Sequence, residues 1–295
     1  MTQDSAGHRL AVLGAGVMGK GITALALGRG LPVTLIDVDP DVLAPAADQV
    51  RQEMRLGLLT GALPRDRKPG ELRTSTSIAD AAGATVVVEA ITEVAELKVK
   101  ALIDVAAVVA PGTLLVTNTS SIPVDELAAS APRPEDLLGV HFMNPPYLIE
   151  TVEVIPGSRT GEHATAALSS LLEALGRREV VVGDGPGFVT SRVLHRMIND
   201  AAALVHEGRA TAEAVDALME GCLGHPTGPL RTADLIGIDN LVDSLRVLHE
   251  RTGDESFRPS EALLRKVSDG DLGRKTGRGF YSYTDAGGVL PVGLR

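Results

Sequence analysis

The chain has 295 residues, of which 44% are hydrophobic, so it is long enough to bury the cores of two domains. Its 38 acidic side chains outnumber its 28 basic ones, and the net charge of -10 argues against a general binder of nucleic acids or of anionic membranes. Cys222 is the only cysteine, which excludes an intramolecular disulfide and a cysteine-based metal site.

These totals, together with the N-terminal residues, favour a cytoplasmic protein. The first ten residues are too polar for a secretory signal, and no apolar run approaches the roughly 18 residues that cross a bilayer. The seven histidines occur singly, without the spacing that places two metal ligands on one helix face. We therefore expect no metal, no membrane partner and no nucleic-acid partner.

A glycine-rich turn follows the first predicted strand. The strand, at residues 9–13, leads into a Gly-x-Gly-x-x-Gly turn and then into a helix, and a second strand at residues 32–36 ends at Asp37. In such a unit the glycines allow a tight turn, the approach of a diphosphate and close helix packing, while the carboxylate binds ribose hydroxyls and repels a 2′-phosphate. The unit predicts an NAD site formed by Gly14, Gly16, Val17, Met18, Gly19 and Asp37.

A charged connector follows the second strand and one further helix. The pattern predicts an amphipathic helix at residues 41–58 and a connector rich in proline, glycine and charge at residues 63–73. The connector's basic residues are Arg65, Arg67, Lys68 and Arg73. A charge run of this kind is more often a solvated loop than a binding patch.

Polar residues follow the next two predicted strands. The strand at residues 84–88 leads to Glu93 and Lys98 at the start of a helix, and the strand at residues 112–116 leads to Ser120 and Ser121. These positions lie at the carboxyl edge of a parallel sheet, where open α/β sheets bind ligands. Ser121 suits a helix N-cap, so Ser120 is the better candidate for a ligand contact.

Residues 139–153 contain a candidate proton-transfer pair. Two short strands are predicted on either side of a turn at residues 144–146, an arrangement that can place His141 beside Glu153. A neutral imidazole can take a proton from a hydroxyl, and a carboxylate on its other nitrogen fixes the tautomer and stabilises the imidazolium. The alternative is a histidine with a purely structural role.

The pattern changes at the glycine-rich residues 183–187. A helix at residues 162–175 and a strand at 179–182 precede them, and only helices are predicted afterwards. The first of these, at residues 188–205, is apolar on nearly all faces and is expected at the centre of a bundle, with two or three more to follow. We predict an α/β chain: a mostly parallel, Rossmann-type sheet domain at residues 1–183, an all-α domain at 184–295, and a cleft between them.

Six motifs, in order and at matching spacing over nearly the whole chain, resemble those of the L-3-hydroxyacyl-CoA dehydrogenase family. They are Gly14-Ala15-Gly16-Val17-Met18-Gly19, Glu89-Ala90-Ile91-Thr92-Glu93, Asn118-Thr119-Ser120-Ser121, His141-Phe142-Met143-Asn144-Pro145, Asp184-Gly185-Pro186-Gly187-Phe188 and Lys275-Thr276-Gly277-Arg278-Gly279-Phe280-Tyr281. The resemblance implies reversible hydride transfer between NAD and the C3 hydroxyl of an acyl thioester. It also implies a homodimer formed through the helical domain.

The resemblance assigns roles to individual residues. His141 matches the family's catalytic histidine, Glu153 the glutamate that orients it, and Ser120 the serine beside substrate and nicotinamide. The positions that match contacts to NAD are Asp37, Glu93, Lys98 and Asn144.

The chain departs from the family's pattern at two places. Ser191 precedes Arg192 where the family carries an asparagine near the reacting oxygen, so this shorter side chain either acts through a water or leaves the role to Ser120. Glu53 and Thr60 align approximately with the serine and lysine that hold the CoA nucleotide. The second departure weakens the expectation that the thioester carrier is CoA.

The departures leave three other functions open. The first is a dehydrogenase of polyketide extender-unit biosynthesis that oxidises a short hydroxyacyl group, such as glyceryl, on an acyl carrier protein. Such an acidic carrier would bind the basic connector, which is then expected on the side of the cleft. The second is a dehydrogenase of free 3-hydroxy acids of the gulonate or carnitine type, and the third is an NAD-binding structural or sensor protein without activity.

Overall fold

The computed structural model describes residues 7–283 and divides into two compact units between Phe188 and Val189. This division lies a few residues after the predicted boundary at 183/184. Asp184 belongs to the first unit, because its carboxylate accepts hydrogen bonds from the backbone N–H groups of Val124 at 2.9 Å and Asp125 at 2.8 Å. The glycine-rich segment is thus tied to the sheet rather than to the helices.

The first unit is built on an eight-stranded sheet. Its strands are β1 (Leu10–Leu13), β2 (Val33–Ile36), β3 (Leu72–Ser75), β4 (Val86–Glu89), β5 (Leu114–Thr117), β6 (Leu137–His141), β7 (Thr151–Pro156) and β8 (Arg178–Val181). They lie in the order β3-β2-β1-β4-β5-β6-β7-β8. All pairs are parallel except β6 with β7, which confirms the predicted mostly parallel, Rossmann-like sheet.

Helices cover both faces of this sheet. They are α1 (Val17–Gly28), α2 (Pro40–Leu43), α3 (Ala46–Thr60), α4 (Ala95–Ala106), α5 (Val124–Ala128) and α6 (Glu162–Leu175). Successive residues of a strand point to opposite faces, so Leu10 and Val12 pack in the core beneath α1, α3 and α6, while Ala11 and Leu13 pack in the core with α4 and α5. The burial of both faces explains why the central strands are almost continuously apolar.

The predicted helix at residues 41–58 is two helices. Pro45 separates α2 from α3, since a proline has no N–H for the helical ladder and its ring clashes with the preceding turn. The Asp39 side chain caps α2 by accepting a hydrogen bond from the Asp41 N–H at 2.9 Å. The sequence pattern indicated the amphipathic face correctly but missed this break.

The basic connector does not lie where the carrier-protein hypothesis requires it. Its last residues belong to β3, which the pattern did not predict, and Arg73 pairs with Glu71 on this edge strand. Gly70 N–H donates to the Leu27 carbonyl at 2.9 Å, at the C-terminal end of α1. A segment that follows a helix and enters the next parallel strand lies at the amino edge of the sheet, opposite the edge that carries the glycine-rich turn.

The second unit consists of helices around α7 (Thr190–His206). The others are α8 (Ala212–Leu223), α9 (Pro229–Ile236), α10 (Ile238–Thr252) and α11 (Glu261–Ser268). The four that follow α7 are more than the two or three predicted, because Gly237, with a φ of 93°, turns the chain sharply between α9 and α10. α7 packs against all four, but it is not buried on every face: Val193 is 64% exposed.

The Gly-Phe-Tyr stretch near the end of the described chain anchors to α9. The buried Asp234 carboxylate accepts hydrogen bonds from the backbone N–H groups of Phe280 and Tyr281 and from the Tyr283 hydroxyl, all at 2.8 to 2.9 Å. Burial raises the pKa of Asp234, an effect that these donors oppose. Between residues 7 and 283, no helix has the length and apolar character needed to cross a membrane.

Candidate active site

The glycine-rich turn has the geometry of a diphosphate-binding site. A Cβ atom on Gly14 would lie 2.6 Å from the Ala90 carbonyl oxygen, and one on Gly19 would lie 1.8 Å from the Gly14 carbonyl oxygen. A Cβ on Gly16 would meet nothing within 4 Å. The first and third glycines are therefore required by packing, while the second leaves open space at the N-terminus of α1, where unpaired N–H groups and the helix dipole attract an anion.

The two residues after Gly16 and the acidic residue at the end of β2 complete this site. Val17 is 61% exposed at the start of α1, and Met18 packs against the core. The Asp37 carboxylate accepts hydrogen bonds from the Ala15 N–H at 2.7 Å and from the Asp39 N–H at 3.0 Å. Two backbone donors hold the carboxylate beside the turn, in a position that suits the ribose hydroxyls of NAD.

A buried charged cluster lies at the carboxyl ends of β4 and β5. The Lys98 ammonium, which is fully buried, donates to Glu89 at 2.7 Å and lies 3.2 Å from Glu93. Glu89 is also fully buried and accepts hydrogen bonds from the Thr117 hydroxyl at 2.7 Å and the Ile91 N–H at 2.9 Å. A buried charge pair of this kind persists only when its hydrogen-bonding capacity is satisfied, as it is here.

Glu93 connects this cluster to Ser120. One of its carboxylate oxygens accepts from the Thr119 hydroxyl at 2.6 Å, from the backbone N–H groups of Ser120 and Ser121 at 2.8 and 3.0 Å, and from the hydroxyls of both serines. Burial acts to raise the pKa of Glu93, but the Lys98 ammonium and these donors outweigh it and hold the pKa below its ordinary value. Glu93 therefore stays ionised and positions the Ser120 segment.

Glu93 and Lys98, the two predicted NAD contacts in this cluster, differ in exposure. The Lys98 side chain is enclosed by Glu89, Glu93 and the Ile91 carbonyl, whereas the Glu93 side chain is 34% exposed. Glu93 is thus the member of the cluster that is open to solvent, and direct contacts from Glu93 and Lys98 to NAD stay predictions. The sequence reasoning missed Glu89, although an acidic residue at the end of a wholly apolar strand was the available signal.

His141 and Glu153 are directly opposite one another in the antiparallel pair β6 and β7. The His141 Nδ1 atom lies 2.7 Å from a Glu153 carboxylate oxygen, and the two residues are only 7% and 5% exposed. Because an ionised carboxylate can only accept, the proton of a neutral imidazole resides on Nδ1. This tautomer leaves Nε2 as the nitrogen that can take a proton from a substrate.

Two further contacts fix the surroundings of this pair. The Asn118 side-chain oxygen accepts a hydrogen bond from the Phe142 N–H at 3.0 Å, and so joins the end of β5 to the residue after His141. The Phe188 ring lies 6.1 Å from the His141 ring at an interplanar angle of 57°. Phe188 has a φ of 46°, an uncommon conformation for a residue other than glycine, and Gly187 before it is also left-handed.

The remaining predicted residues lie in an exposed turn and in the second unit. Asn144 is exposed in the turn between β6 and β7. Ser191 is 5% exposed in the first turn of α7, and no hydrogen bond to its hydroxyl is found among residues 7–283. Within the same residues, no cluster of three or more histidine, cysteine or acidic side chains could hold a metal ion.

Two protein-family models match the chain over almost all of this structure. The model of the 3-hydroxyacyl-CoA dehydrogenase NAD-binding domain matches residues 9–185, and the model of the same family's C-terminal domain matches residues 187–283. The chain belongs to the 3-hydroxyacyl-CoA dehydrogenase family. Since the matched first domain is this family's NAD-binding domain and its glycine turn suits a diphosphate, the cofactor is NAD.

Individual relatives and a solved structure are similar to this chain over nearly its full length. The chain is 38% identical to a probable 3-hydroxybutyryl-CoA dehydrogenase of Bacillus subtilis over 94% of its length and 98% of the relative's. It is 37% identical to the 3-hydroxybutyryl-CoA dehydrogenase of Bradyrhizobium diazoefficiens, over 97% of this chain and 98% of that relative. The crystal structure of FadB2 from Mycobacterium tuberculosis has a TM-score of 0.88 at 31% identity, covering 94% of this chain and 99% of that one.

The first unit carries an acidic residue, Glu53, whose pKa is strongly raised. Glu53 lies on α3, and burial raises its pKa to about 7, an effect that the Lys20 ammonium opposes. A raised carboxyl pKa means that the folded state binds this proton more tightly than the unfolded state does. The stability that Glu53 contributes is therefore present below pH 4.5 and is lost as the pH rises to about 7.

Glu53→Gln is accordingly expected to stabilise the protein at pH 8 by about 1 kcal/mol, a figure reduced for partial solvent exposure, and to change little at pH 5. Urea unfolding at both pH values measures the difference. Glu96→Gln, at an exposed position of α4, serves as the control and should behave alike at both. An equal effect of Glu53→Gln at pH 5 and pH 8 would contradict the burial argument.

Proposed function

We propose that this chain interconverts a short 3-hydroxyacyl-CoA and its 3-oxo form with NAD as cofactor. The observation that carries the proposal is the buried His141 and Glu153 pair, which supplies an oriented imidazole in the domain that binds NAD. The relatives named 3-hydroxybutyryl-CoA dehydrogenase, at 37 to 38% identity over nearly the full chain, support a four-carbon acyl group.

In the oxidation direction, His141 takes the proton of the C3 hydroxyl at Nε2 while a hydride leaves C3. Bound NAD supplies the hydride acceptor. Glu153 stabilises the resulting imidazolium through the hydrogen bond at Nδ1, which measures 2.7 Å. In the reduction direction the imidazolium returns the proton to the developing alkoxide, so oxidation should speed up with rising pH and reduction should slow.

Ser120 and Ser191 are proposed to orient the reacting oxygen. Glu93 holds Ser120 through its backbone N–H and its hydroxyl, so that this side chain is positioned before a substrate binds. Ser191, 5% exposed in the first turn of α7, carries a hydroxyl that would donate to a substrate oxygen directly or through a bridging water. Asn144, exposed in the turn after β6, is proposed to contact NAD together with Glu93 and Asp37.

We also propose that two copies of the chain associate through the helical unit. The neighbouring helices α7 and α8 expose several large apolar side chains, between 41% and 65% of each: Val193, Leu204, Leu218 and Leu223. Exposed apolar side chains on two neighbouring helices are the kind of surface that a second copy would cover. Light scattering should give twice the monomer mass, and Val193→Asp should shift the protein toward the monomer; a monomeric wild-type protein would contradict the proposal.

The deciding experiment compares substrates that share the reaction but differ in their carrier. NADH consumption is measured with acetoacetyl-CoA, and NAD reduction with a hydroxyacyl group on an acyl carrier protein and with free 3-hydroxybutyrate. We expect strong turnover of the CoA ester, because the basic connector of the carrier-protein hypothesis lies at the amino edge of the sheet. If only the carrier-bound substrate or only the free acid is turned over, the corresponding alternative function replaces the proposal. If none of the three substrates is turned over, the result favours a non-catalytic NAD-binding protein.

A further inference from the structure

The segment between the two catalytic strands is a compact turn with its own internal hydrogen bonds. We define residues 142–150 as the dyad turn, since it follows His141 and leads into the strand that carries Glu153. The Pro145 carbonyl accepts from the N–H groups of Leu148 at 3.0 Å and Ile149 at 3.2 Å, which makes a single helical turn. The carbonyl groups that follow in such a turn point past its end and need donors from elsewhere.

Arg177 supplies those donors. It lies between α6 and β8 and is 6% exposed. Its Nη1 donates to the Ile149 carbonyl at 2.9 Å and the Pro146 carbonyl at 3.3 Å, and its Nε donates to the Leu175 carbonyl at 3.2 Å. No carboxylate pairs with this guanidinium among residues 7–283.

A buried cation whose hydrogen bonds all go to carbonyl groups is costly. Burial, aided by repulsion from Arg29, lowers the pKa of Arg177 to about 10, although attraction to the Glu150 carboxylate opposes this shift. An aliphatic side chain would fill the same space without desolvating a charge. The distinct contribution of the guanidinium is therefore its set of hydrogen bonds to the dyad turn.

The helices α1 and α3 also pack closely against the dyad turn. A Cβ on Gly21, in α1, would lie 2.6 Å from the Pro146 ring, and one on Gly57, in α3, would lie 3.3 Å from the Tyr147 ring. Arg177 thus donates to the carbonyl groups of the turn, while α1 and α3 pack against the Pro146 and Tyr147 rings. The turn exposes Asn144, two residues before Pro146, and Glu150 at its end.

We propose that Arg177 is a positioning residue for the dehydrogenase reaction. By fixing the Pro146 and Ile149 carbonyls it holds Asn144 in place for the cofactor, and it restrains the connection between His141 and Glu153. This role rests on the proposed function, because Asn144 and the dyad act in that reaction. If Arg177 has this role, a variant with a looser turn should bind NADH more weakly and turn over substrate more slowly while its sheet stays folded.

The test compares Arg177→Met with its sequence neighbour Arg178→Met. Arg178 is exposed and donates to the Thr151 hydroxyl at 3.0 Å, outside the dyad turn. At a temperature where circular dichroism shows each variant folded, Arg177→Met should lower kcat by about 10-fold to 10²-fold and raise the Kd of NADH by about 10-fold. Arg178→Met should stay within about twofold of wild type, and Arg177→Lys should recover part of the loss.

The result that overturns the proposal is a folded Arg177→Met protein with wild-type kcat and wild-type NADH affinity. An equal loss in Arg178→Met would also overturn it, because the effect would then reflect the sheet edge rather than the turn. If Arg177→Met does not fold, Arg177→Gln removes the charge but keeps an amide donor, and the same measurements apply. A wild-type protein that turns over no substrate refutes the proposed function, while the NADH titrations still decide the role of Arg177.

Discussion

His141→Gln is expected to lower kcat for acetoacetyl-CoA reduction by about 10² to 10⁴ and to leave NADH affinity almost unchanged. A glutamine amide can keep a hydrogen bond to Glu153, but it cannot deliver a proton to the developing alkoxide. The loss should therefore fall on the chemical step. Steady-state kinetics gives kcat, and a fluorescence titration with NADH gives the affinity.

Two controls make this test specific. His163 pairs with Asp136 at 2.7 Å in another part of the first unit, so His163→Gln should leave kcat near wild type. Since Glu53 has a pKa of about 7, the pH profiles of oxidation and reduction are best repeated with Glu53→Gln, which removes its titration from the same range. A His141→Gln protein with wild-type turnover in both directions would assign proton transfer to another group.

The parts of the site that the sequence predicted are those where one residue type satisfies a local rule. Gly14 and Gly19 stand where a Cβ would collide with the backbone, and Asp37 follows a buried strand at the expected distance. The contact between His141 and Glu153 also follows from local geometry, because a short turn joins two strands that are antiparallel neighbours. Each of these features depends on a few residues close together in the chain.

The features that the sequence did not predict depend on long-range packing. β3 is an edge strand with charged, partly exposed residues, so its pattern resembles a loop, and its pairing with β2 is not visible locally. The buried state of Lys98 depends on Glu89 at the end of another element. Arg177 looks like an ordinary surface residue beside Arg178, and only the fold shows that one is buried and the other exposed.

The departure at Ser191 also has a structural counterpart. The side chain is buried in the first turn of α7 without a hydrogen-bond partner in residues 7–283, whereas the buried Asn199, two turns later, accepts from the Ser260 N–H and donates to the Ser256 and Arg258 carbonyls. Asn199 therefore has a structural role within the second unit, whereas the role of Ser191 stays a prediction.

Lys98→Met is expected to destabilise the first unit by about 3 to 5 kcal/mol. The methionine fills a similar volume, but it leaves the fully buried Glu89 without its cation, and the Thr117 and Ile91 donors do not neutralise the remaining charge. Urea unfolding followed by fluorescence or circular dichroism measures this loss.

The matched variant is the double substitution Glu89→Gln with Lys98→Met. It removes both buried charges while keeping an acceptor for the Thr117 hydroxyl, so it should recover most of the lost stability, as buried ion pairs replaced by neutral groups often do. Its turnover should nevertheless stay below wild type, because Glu93 loses the ammonium that lies 3.2 Å from its carboxylate and so positions Ser120 less firmly. A double variant as unstable as Lys98→Met would show that Lys98 stabilises the fold by packing and not by neutralising Glu89.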